Sequence, residues 1–422
     1  MQRTFLARGW WVCGLGALFY CYEYLIRIAP SIMSTEIRQA FQLDATAFGS
    51  FAALYYFASV PMQLVGGVLM DRYGPRRLLI LACLVCACGV YLFTQYTHPS
   101  LAKIGRFIGG MGGAFAFIGA LKLATFWLPP RQFGIVSGLI TSLGMLGAIL
   151  GDVFMGFFIH TWGWQHTLFF FAITGCIVSC LIFFGIPKNH PNYLHGQSNP
   201  PENSGFSDLF ATLSLLIRNR HIWINGFIGG MLYLSLSVFA ELWGPLYLQG
   251  AYFYTPAEAS QGVAMVFLGW LVGSPLMAWL SEQLNRRRLP ILVANLLITF
   301  IISLIFYLPA STPKLLILAL LFLFGLFSSA QVIVFMIGKE LIATPRLVGT
   351  ALAFTNSIAL LGGALLQPLV GKLLDWQWQG AVVDQLRVYS PSEYHLALMV
   401  IPLGTLLAAG LVFCLKETAP TS

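Results

Sequence analysis

The chain has 422 residues, 58% of them hydrophobic and 9% charged, against roughly 25% charged in ordinary soluble domains. That balance excludes a soluble two-domain enzyme: the apolar residues number about 245, and at about 20 per bilayer crossing they supply roughly twelve spans with little left for extramembrane domains. The net charge of +8 is therefore read by position along a membrane protein, and nucleic acid is not an expected partner.

In chain order, Met1 to Arg8 is short and basic and runs into an apolar stretch long enough for a full span, so it reads as the start of the first helix and not as a cleavable signal. Spans are expected near residues 9–31, 45–70, 77–97, 102–127, 134–159 and 167–187, and again near 222–248, 259–281, 289–309, 314–338, 347–372 and 394–415. The stretch HPNYLHGQSNPPENSG between the two sets has no helical period and reads as a solvated linker, which divides the chain into a six-helix half 1–187, a linker 188–220 and a six-helix half 221–422. Lys and Arg collect on one side of this layout, among them Arg3, Arg72, Arg131, Arg286 and Lys416, while Arg38, Lys103, Lys314, Lys372 and Arg387 fall on the other. The positive-inside rule then puts both termini and the linker in the cytoplasm.

The two halves repeat. A shift of about 215 residues lays Arg131 on Arg346, Gly134 on Gly349, Gly147 on Gly362 and Gly156 on Gly371, the internal duplication expected of a transporter built from two related halves. The eight cysteines all sit inside apolar runs and give no disulfide framework. Cys83, Cys86 and Cys88 lack a His or acid nearby and read as helix packing, so no metal and no cofactor are expected.

After span 2 the chain reads Gly67-Val-Leu-Met-Asp71-Arg72-Tyr-Gly74-Pro-Arg76-Arg77, which resembles the G-x-x-x-D-R-x-G-x-R-R signature of the major facilitator superfamily. The resemblance implies an all-α fold of twelve transmembrane helices in two six-helix halves, working by alternating access. In it Gly67 permits close helix approach, Gly74 makes the turn, and Asp71, Arg72 and Arg76 form a conformational latch. The corresponding loop of the second half, LSEQLNRRR, keeps Arg286 and Arg287 without the glycines and the Asp, and is expected to be degenerate. Arg106-Phe-Ile-Gly-Gly110 resembles the superfamily's R-x-x-x-G helix and joins Arg106 to the latch group, and Trp127-Leu-Pro129-Pro-Arg131 resembles a loop of its organic-anion members. Span 5 carries Gly144, Gly147 and Gly151 without the Gly-Pro pair usual in the drug antiporters of the superfamily, which weighs against a multidrug exporter.

A charge near mid-bilayer costs at least about 2.5 kcal/mol, so each one is a functional candidate. In span 1, steps of three and four put Tyr20, Glu23, Tyr24, Arg27 and Ser31 on one face. Arg27 stays protonated and its donor fork matches a carboxylate, which makes it the candidate substrate anchor; a local Glu23–Arg27 ion pair that only neutralises both charges is the alternative. The fragment RIAPSIM resembles organic anion transporters, in which an Arg of span 1 receives the substrate carboxylate. Tyr20, Tyr24, Tyr233, Gln331 and Asn356 are further candidate substrate contacts. Glu23, Asp152 and Glu241 are the candidate proton-coupling acids, expected to form one cluster with Arg27 in the outer half of the bilayer. In the organic anion group a coupling Glu often lies seven residues after the span 4 Arg, and here that position is Gly113. Lys122 is equally readable as a substrate contact or as a lysine snorkelling to the interface.

The expected function is proton-coupled import of a small carboxylate-bearing nutrient, an amino acid being favoured, by a monomeric multi-pass protein of a bacterial inner membrane, its partners being substrate, protons and the bilayer. FYCYEYLIRIAPSIM is similar to proteobacterial nutrient importers, including the intraphagosomal amino-acid transporter group. Carboxylate siderophore or dipeptide import, export of a drug or metabolite, and a non-transporting nutrient sensor are the alternatives. No nucleophile–base arrangement suggests an enzyme.

Overall fold

The computed structural model describes residues 2–95, 98–129, 132–188, 214, 216–342, 348–383 and 386–418. Most of the expected linker, the loop residues Arg131 and Arg346, and the side chains of Asp71 and Arg72 lie outside the described residues.

Among the described residues, twelve helices are long and apolar enough to cross a membrane. Spans 1 to 6 are Ala7–Ile32, Ala45–Gly67, Pro75–Phe93, Pro99–Trp127, Ile135–Ile159 and Thr161–Gly185; spans 7 to 12 are Arg220–Tyr252, Pro256–Gln283, Arg288–Tyr307, Lys314–Glu340, Thr350–Gln377 and Pro391–Val412. The all-α, twelve-span expectation therefore holds. The punctuation is chemical. Proline at the first helical position starts spans 3, 4, 8 and 12, where its missing N–H costs nothing. Asp44 caps span 2 by accepting from the Ala47 N–H at 2.8 Å, and Thr255 with Glu258 and Ser390 with Glu393 form capping boxes on spans 8 and 12. Gly74, at φ +80°, turns the chain between spans 2 and 3, as its place in the signature implies.

Among the described residues, four spans are irregular where the sequence suggested continuous helices; one of them, span 12, is interrupted at Met399 between helices Pro391–Leu398 and Val400–Val412. Span 1 breaks at Ile28, between helices Gln2–Arg27 and Ala29–Ile32. Span 7 widens into a π-helix over Ser235–Trp243. Span 10 is interrupted between Ser328 and Gln331. The breaks in spans 1 and 7 lie beside the charged residues of those spans.

With an even number of crossings both chain ends lie on one face, called here the terminal face. The first six spans meet the last six along three seams, formed by spans 2 and 11, spans 5 and 8, and spans 1 and 7. On the first seam, a Cβ at Gly49 would strike the backbone of Gln367 and Pro368, and one at Gly371 would strike that of Ala45 and Thr46, so these glycines let the two helices touch main chain to main chain. Asn356 donates to Gln63 Oε1 across the same seam at 2.7 Å, and Ser142 donates to the Leu271 carbonyl across the span 5–span 8 seam at 2.9 Å. Gly67 is different: a Cβ there meets nothing within 4 Å. Among the described residues, no close approach is made at Gly67.

At the terminal face, Arg76 has no ion pair with an acid among the described residues. It donates to the carbonyls of Ile186 and Phe183, both at 2.6 Å, and so finishes the last turn of span 6. Arg288 does the same for span 12 through Val412 and Phe413, both at 3.0 Å. The second-half loop, which lacks the glycines and the Asp of the first, is held by acids from elsewhere in the chain. Arg287 pairs with Glu340 at 2.7 Å, its N–H donates to Glu417 at 2.6 Å, and Thr418 donates to Glu340 at 2.5 Å. The partners come from span 10 and from the segment after span 12, distant positions that a reading of the loop by itself does not connect.

At the opposite face one carboxylate joins the halves. Asp375, at the end of span 11, accepts from Thr46 N–H and Oγ1 at 2.7 and 2.5 Å, and from Arg387 Nη1 and Tyr389 O–H at 3.0 and 2.6 Å. Arg387 belongs to a short antiparallel hairpin, Val382–Val383 with Leu386–Arg387, and its backbone carbonyl accepts from Arg38 at 2.9 Å. Asp375 thus caps the N-terminus of span 2 from the other half. Asp375→Ala removes all four acceptor contacts. The expected cost is about 1–3 kcal/mol, read as a lower unfolding midpoint in detergent, together with faster amide exchange confined to the start of span 2 and the end of span 11. Unchanged exchange there would show that the clamp does not hold this face shut.

Candidate functional site

The site lies where spans 1, 2, 4 and 7 meet, and it is built around Arg27. Its Nε and Nη2 both donate to Glu23 Oε1, at 2.8 and 2.6 Å, and its Nη1 donates to the Tyr233 hydroxyl at 2.7 Å. Glu23 and Arg27 meet because they are one helical turn apart. Tyr233 comes from span 7, in the other half. Tyr233 also bonds the Tyr24 hydroxyl at 2.9 Å and donates to Glu241 Oε1 at 3.1 Å, and Glu241 Oε1 lies 4.0 Å from Arg27 Nη1. One guanidinium is therefore shared by an acid of its own helix and an acid of the opposite half. Glu23 is fully buried, Glu241 is 3% exposed and Arg27 is 6% exposed, so this pairing is what makes the burial of three charges tolerable.

Two tyrosines complete the cluster. Tyr55 donates to Glu23 and Tyr56 donates to Glu241. The Arg27 guanidinium also lies 4.4 Å from the ring centre of Tyr24 and 5.4 Å from that of Tyr55, within cation–π range. Glu23 Oε2 is buried without a partner, so the carboxyl keeps a free site for a proton or for a substrate donor. Sequence reasoning missed Tyr55 and Tyr56. Their signal was a pair of hydroxyls in the apolar run of span 2, weak because tyrosine is common in membrane spans.

The expected cluster of four charges is only partly assembled. Glu23, Arg27 and Glu241 meet, whereas Asp152 is buried with Oδ2 unpartnered and has no ion pair among the described residues. It lies beside Gly151, which packs on Leu25 and Ile28 at the break of span 1. Among the described residues, Arg106 has no hydrogen bond or ion pair with the loop Gly67–Arg76. Seven residues into span 4, it sits behind the break in span 1 and donates to the carbonyls of Ile26 and Arg27 at 3.2 and 2.8 Å.

Of the remaining candidates, Tyr20 meets Tyr24 edge-on at 5.4 Å between ring centres and packs on Phe117 at 5.1 Å, and Phe117 meets Phe335 of span 10 at 5.8 Å. These rings bridge the halves on the terminal-face side of the cluster. Gln331 donates to the Gly229 carbonyl of span 7 at 3.3 Å, and Asn356 serves the seam with Gln63; neither contacts Arg27. Lys122 lies 5.1 Å over the Phe126 ring, towards the terminal face. A side chain at Gly113 would collide with the Tyr55 hydroxyl and Glu23 Cγ, so the place where related carriers often have an acid is filled here by Glu23 and its tyrosine.

Comparison with known families matches residues 14–367 to the Major Facilitator Superfamily. The chain belongs to that superfamily. Its relatives include a probable sulfoacetate transporter of Cupriavidus necator, 23% identical over 65% of each chain, so the chain spans just under two thirds of that relative's length. A probable galactarate/D-glucarate transporter of Escherichia coli K12 is 23% identical over 68% of this chain and 71% of its own. A lysosomal dipeptide transporter of Danio rerio is 22% identical over 86% of this chain and 79% of its own. In this Major Facilitator Superfamily protein, the signature loop and the charged cluster occupy different levels of the same bundle, one near the terminal face and one within the membrane.

The cluster makes a sharp prediction for stability. Arg27→Ala strands Glu23 in an apolar core and is expected to cost about 3–5 kcal/mol, whereas Arg27→Met combined with Glu23→Gln and Glu241→Gln recovers most of it. Thermal unfolding of the three proteins in one detergent decides; a triple variant no more stable than Arg27→Ala would show that the charges are not mutually dependent.

Proposed function

We propose that this protein is a proton-coupled secondary transporter that imports a small zwitterionic nutrient, an amino acid, through alternating access of its two six-helix halves, 1–187 and 221–422. The observation that carries the reading is the sharing of Arg27 between Glu23 and Glu241. One guanidinium with two carboxylates suits a ligand bearing both charges. The substrate carboxylate displaces an acid from Arg27, and the displaced acid takes the ammonium group or a proton. A dianion would face two carboxylates with one available guanidinium, because both terminal nitrogens of Arg106 are committed to carbonyls.

Glu23 and Glu241 are the coupling acids in this scheme, and Asp152 is a third candidate because it is buried without an ion partner among the described residues. Loss of a carboxylate's partner to the substrate favours its protonated form, so loading with substrate and loading with a proton reinforce one another. The basic face read in the sequence supports a terminal face in the cytoplasm of a bacterial inner membrane. A dipeptide is the second reading. It has the same two charged termini, and the lysosomal relative is named for that cargo. The sulfoacetate and sugar-diacid relatives favour an organic anion instead, which makes the choice between zwitterion and dianion the decisive comparison.

Proteoliposomes containing the purified protein, with an inside-alkaline pH gradient, are to be offered separate radiolabelled pools of amino acids, dipeptides and C4–C6 diacids. Uptake is expected from the amino-acid pool, at least about tenfold lower for Arg27→Ala through loss of the charge-assisted contact. Glu241→Gln is expected to flatten the response to the gradient. Uptake from the diacid pool alone, or amino-acid flux unaffected by Arg27→Ala, would overturn the reading.

A further inference from the structure

We propose that Arg106 is a positioning residue for Arg27: it serves the two carbonyls left without their helix donors around Pro30, and so holds the break of span 1 at Ile28 with the Arg27 side chain facing the other half. In an uninterrupted helix the Ile26 carbonyl accepts from residue 30 and the Arg27 carbonyl from Ser31. Pro30 has no N–H to give. The Ser31 N–H bonds the Ile28 carbonyl instead, at 2.9 Å. Two carbonyls are thereby orphaned among packed helices, where no water is at hand to satisfy them.

Arg106 answers both. Its Nη1 donates to Ile26 O at 3.2 Å and its Nη2 to Arg27 O at 2.8 Å. The side chain is 4% exposed, and among the described residues it has no ion pair with a carboxylate. Its charge lies against the negative end of the helix that closes at Arg27 and 4.8 Å from the ring centre of Tyr55. Arg27 is thus held at two points. Arg106 fixes its carbonyl from one side, and Glu23 and Tyr233 fix its guanidinium from the other. The break also releases Ala29–Ile32 to cross over to span 7, where Ser31 donates to the Ala240 carbonyl at 3.3 Å.

This role needs Arg106 only because residue 30 is proline, and that dependence is the test. It uses the full chain in lipid nanodiscs, with two readouts that require no substrate: deuterium uptake over Tyr20–Met33 and the unfolding midpoint. Arg106→Met keeps the length of the side chain and removes both donors. It is expected to raise exchange at Ile28–Met33 by about tenfold or more and to lower the midpoint. Adding Pro30→Ala restores a backbone donor to Ile26, and Arg106→Met with Pro30→Ala is expected to return exchange to within about twofold of the parent. Arg106→Lys, with one ammonium for two carbonyls, falls between. Pro61→Ala, which removes the proline inside span 2, is the control and gives no rescue. The proposal is overturned if Pro30→Ala fails to protect the segment in the Arg106→Met background, or if Pro61→Ala protects it equally, since either result means that Arg106 acts by packing alone. Where Arg106→Met by itself does not fold, recovery of folded yield by Pro30→Ala, and not by Pro61→Ala, is the same comparison. The consequence for transport rests on Arg27 being the substrate anchor. Absence of uptake by the parent protein would count against that function and leave the exchange result standing.

Discussion

Everything in the centre of this protein follows from placing one guanidinium inside a membrane bundle. A buried cation is tolerable only when anions and hydrogen-bond acceptors surround it, and Arg27 draws them from both halves: Glu23 from its own helix, Tyr233 and Glu241 from span 7. The bonds that make the charge tolerable are thus also bonds between the first six spans and the last six. A ligand that takes over some of those acceptors necessarily alters how strongly the halves hold together, which is the physical link between binding and conformational change.

The two faces of the membrane are closed by different means. At the opposite face Asp375 of span 11 gathers donors from Thr46, Arg387 and Tyr389 and caps span 2 across the seam. On the terminal-face side of the cluster the bridge is aromatic, Tyr20 on Phe117 on Phe335. A charged cap responds to ionic conditions and to protonation, whereas ring contacts respond to little but separation. The two ends of the cycle therefore have different sensitivities. Around them, arginines at helix ends recur as structural devices: Arg76 and Arg288 close the last turns of spans 6 and 12 in related positions of the two halves, a repeat in hydrogen bonding that matches the repeat in sequence.

Much of the fold was legible in advance because its causes are local. A run of apolar residues of bilayer length must be a helix, since no other single segment satisfies its own backbone in lipid. The Gly74 turn, the proline starts and the capping boxes are short-range chemistry. Within the site, Glu23 and Arg27 were legible for the same reason: four residues apart on a helix, they share a face. Asp152 was misplaced because helical periodicity gives the face of its own span and not the distance to another. The partners of Arg287 were missed because Glu340 and Glu417 lie 53 and 130 residues away along the chain.

The sequence by itself determined the solvent, the number of crossings, the duplication and the identity of the charged residues, because each is a property of one segment read against the thickness and dielectric of a bilayer. Tertiary structure decided which charges meet. That Arg27 is shared between Glu23 and Glu241, that Tyr55 and Tyr56 join the cluster, and that Arg106 meets the carbonyls of Ile26 and Arg27 all depend on how tilted and interrupted helices pack. Side chains more than a turn apart come together only through that packing, and hydrogen-bond geometry at about 3 Å is too exacting for a helical wheel to specify.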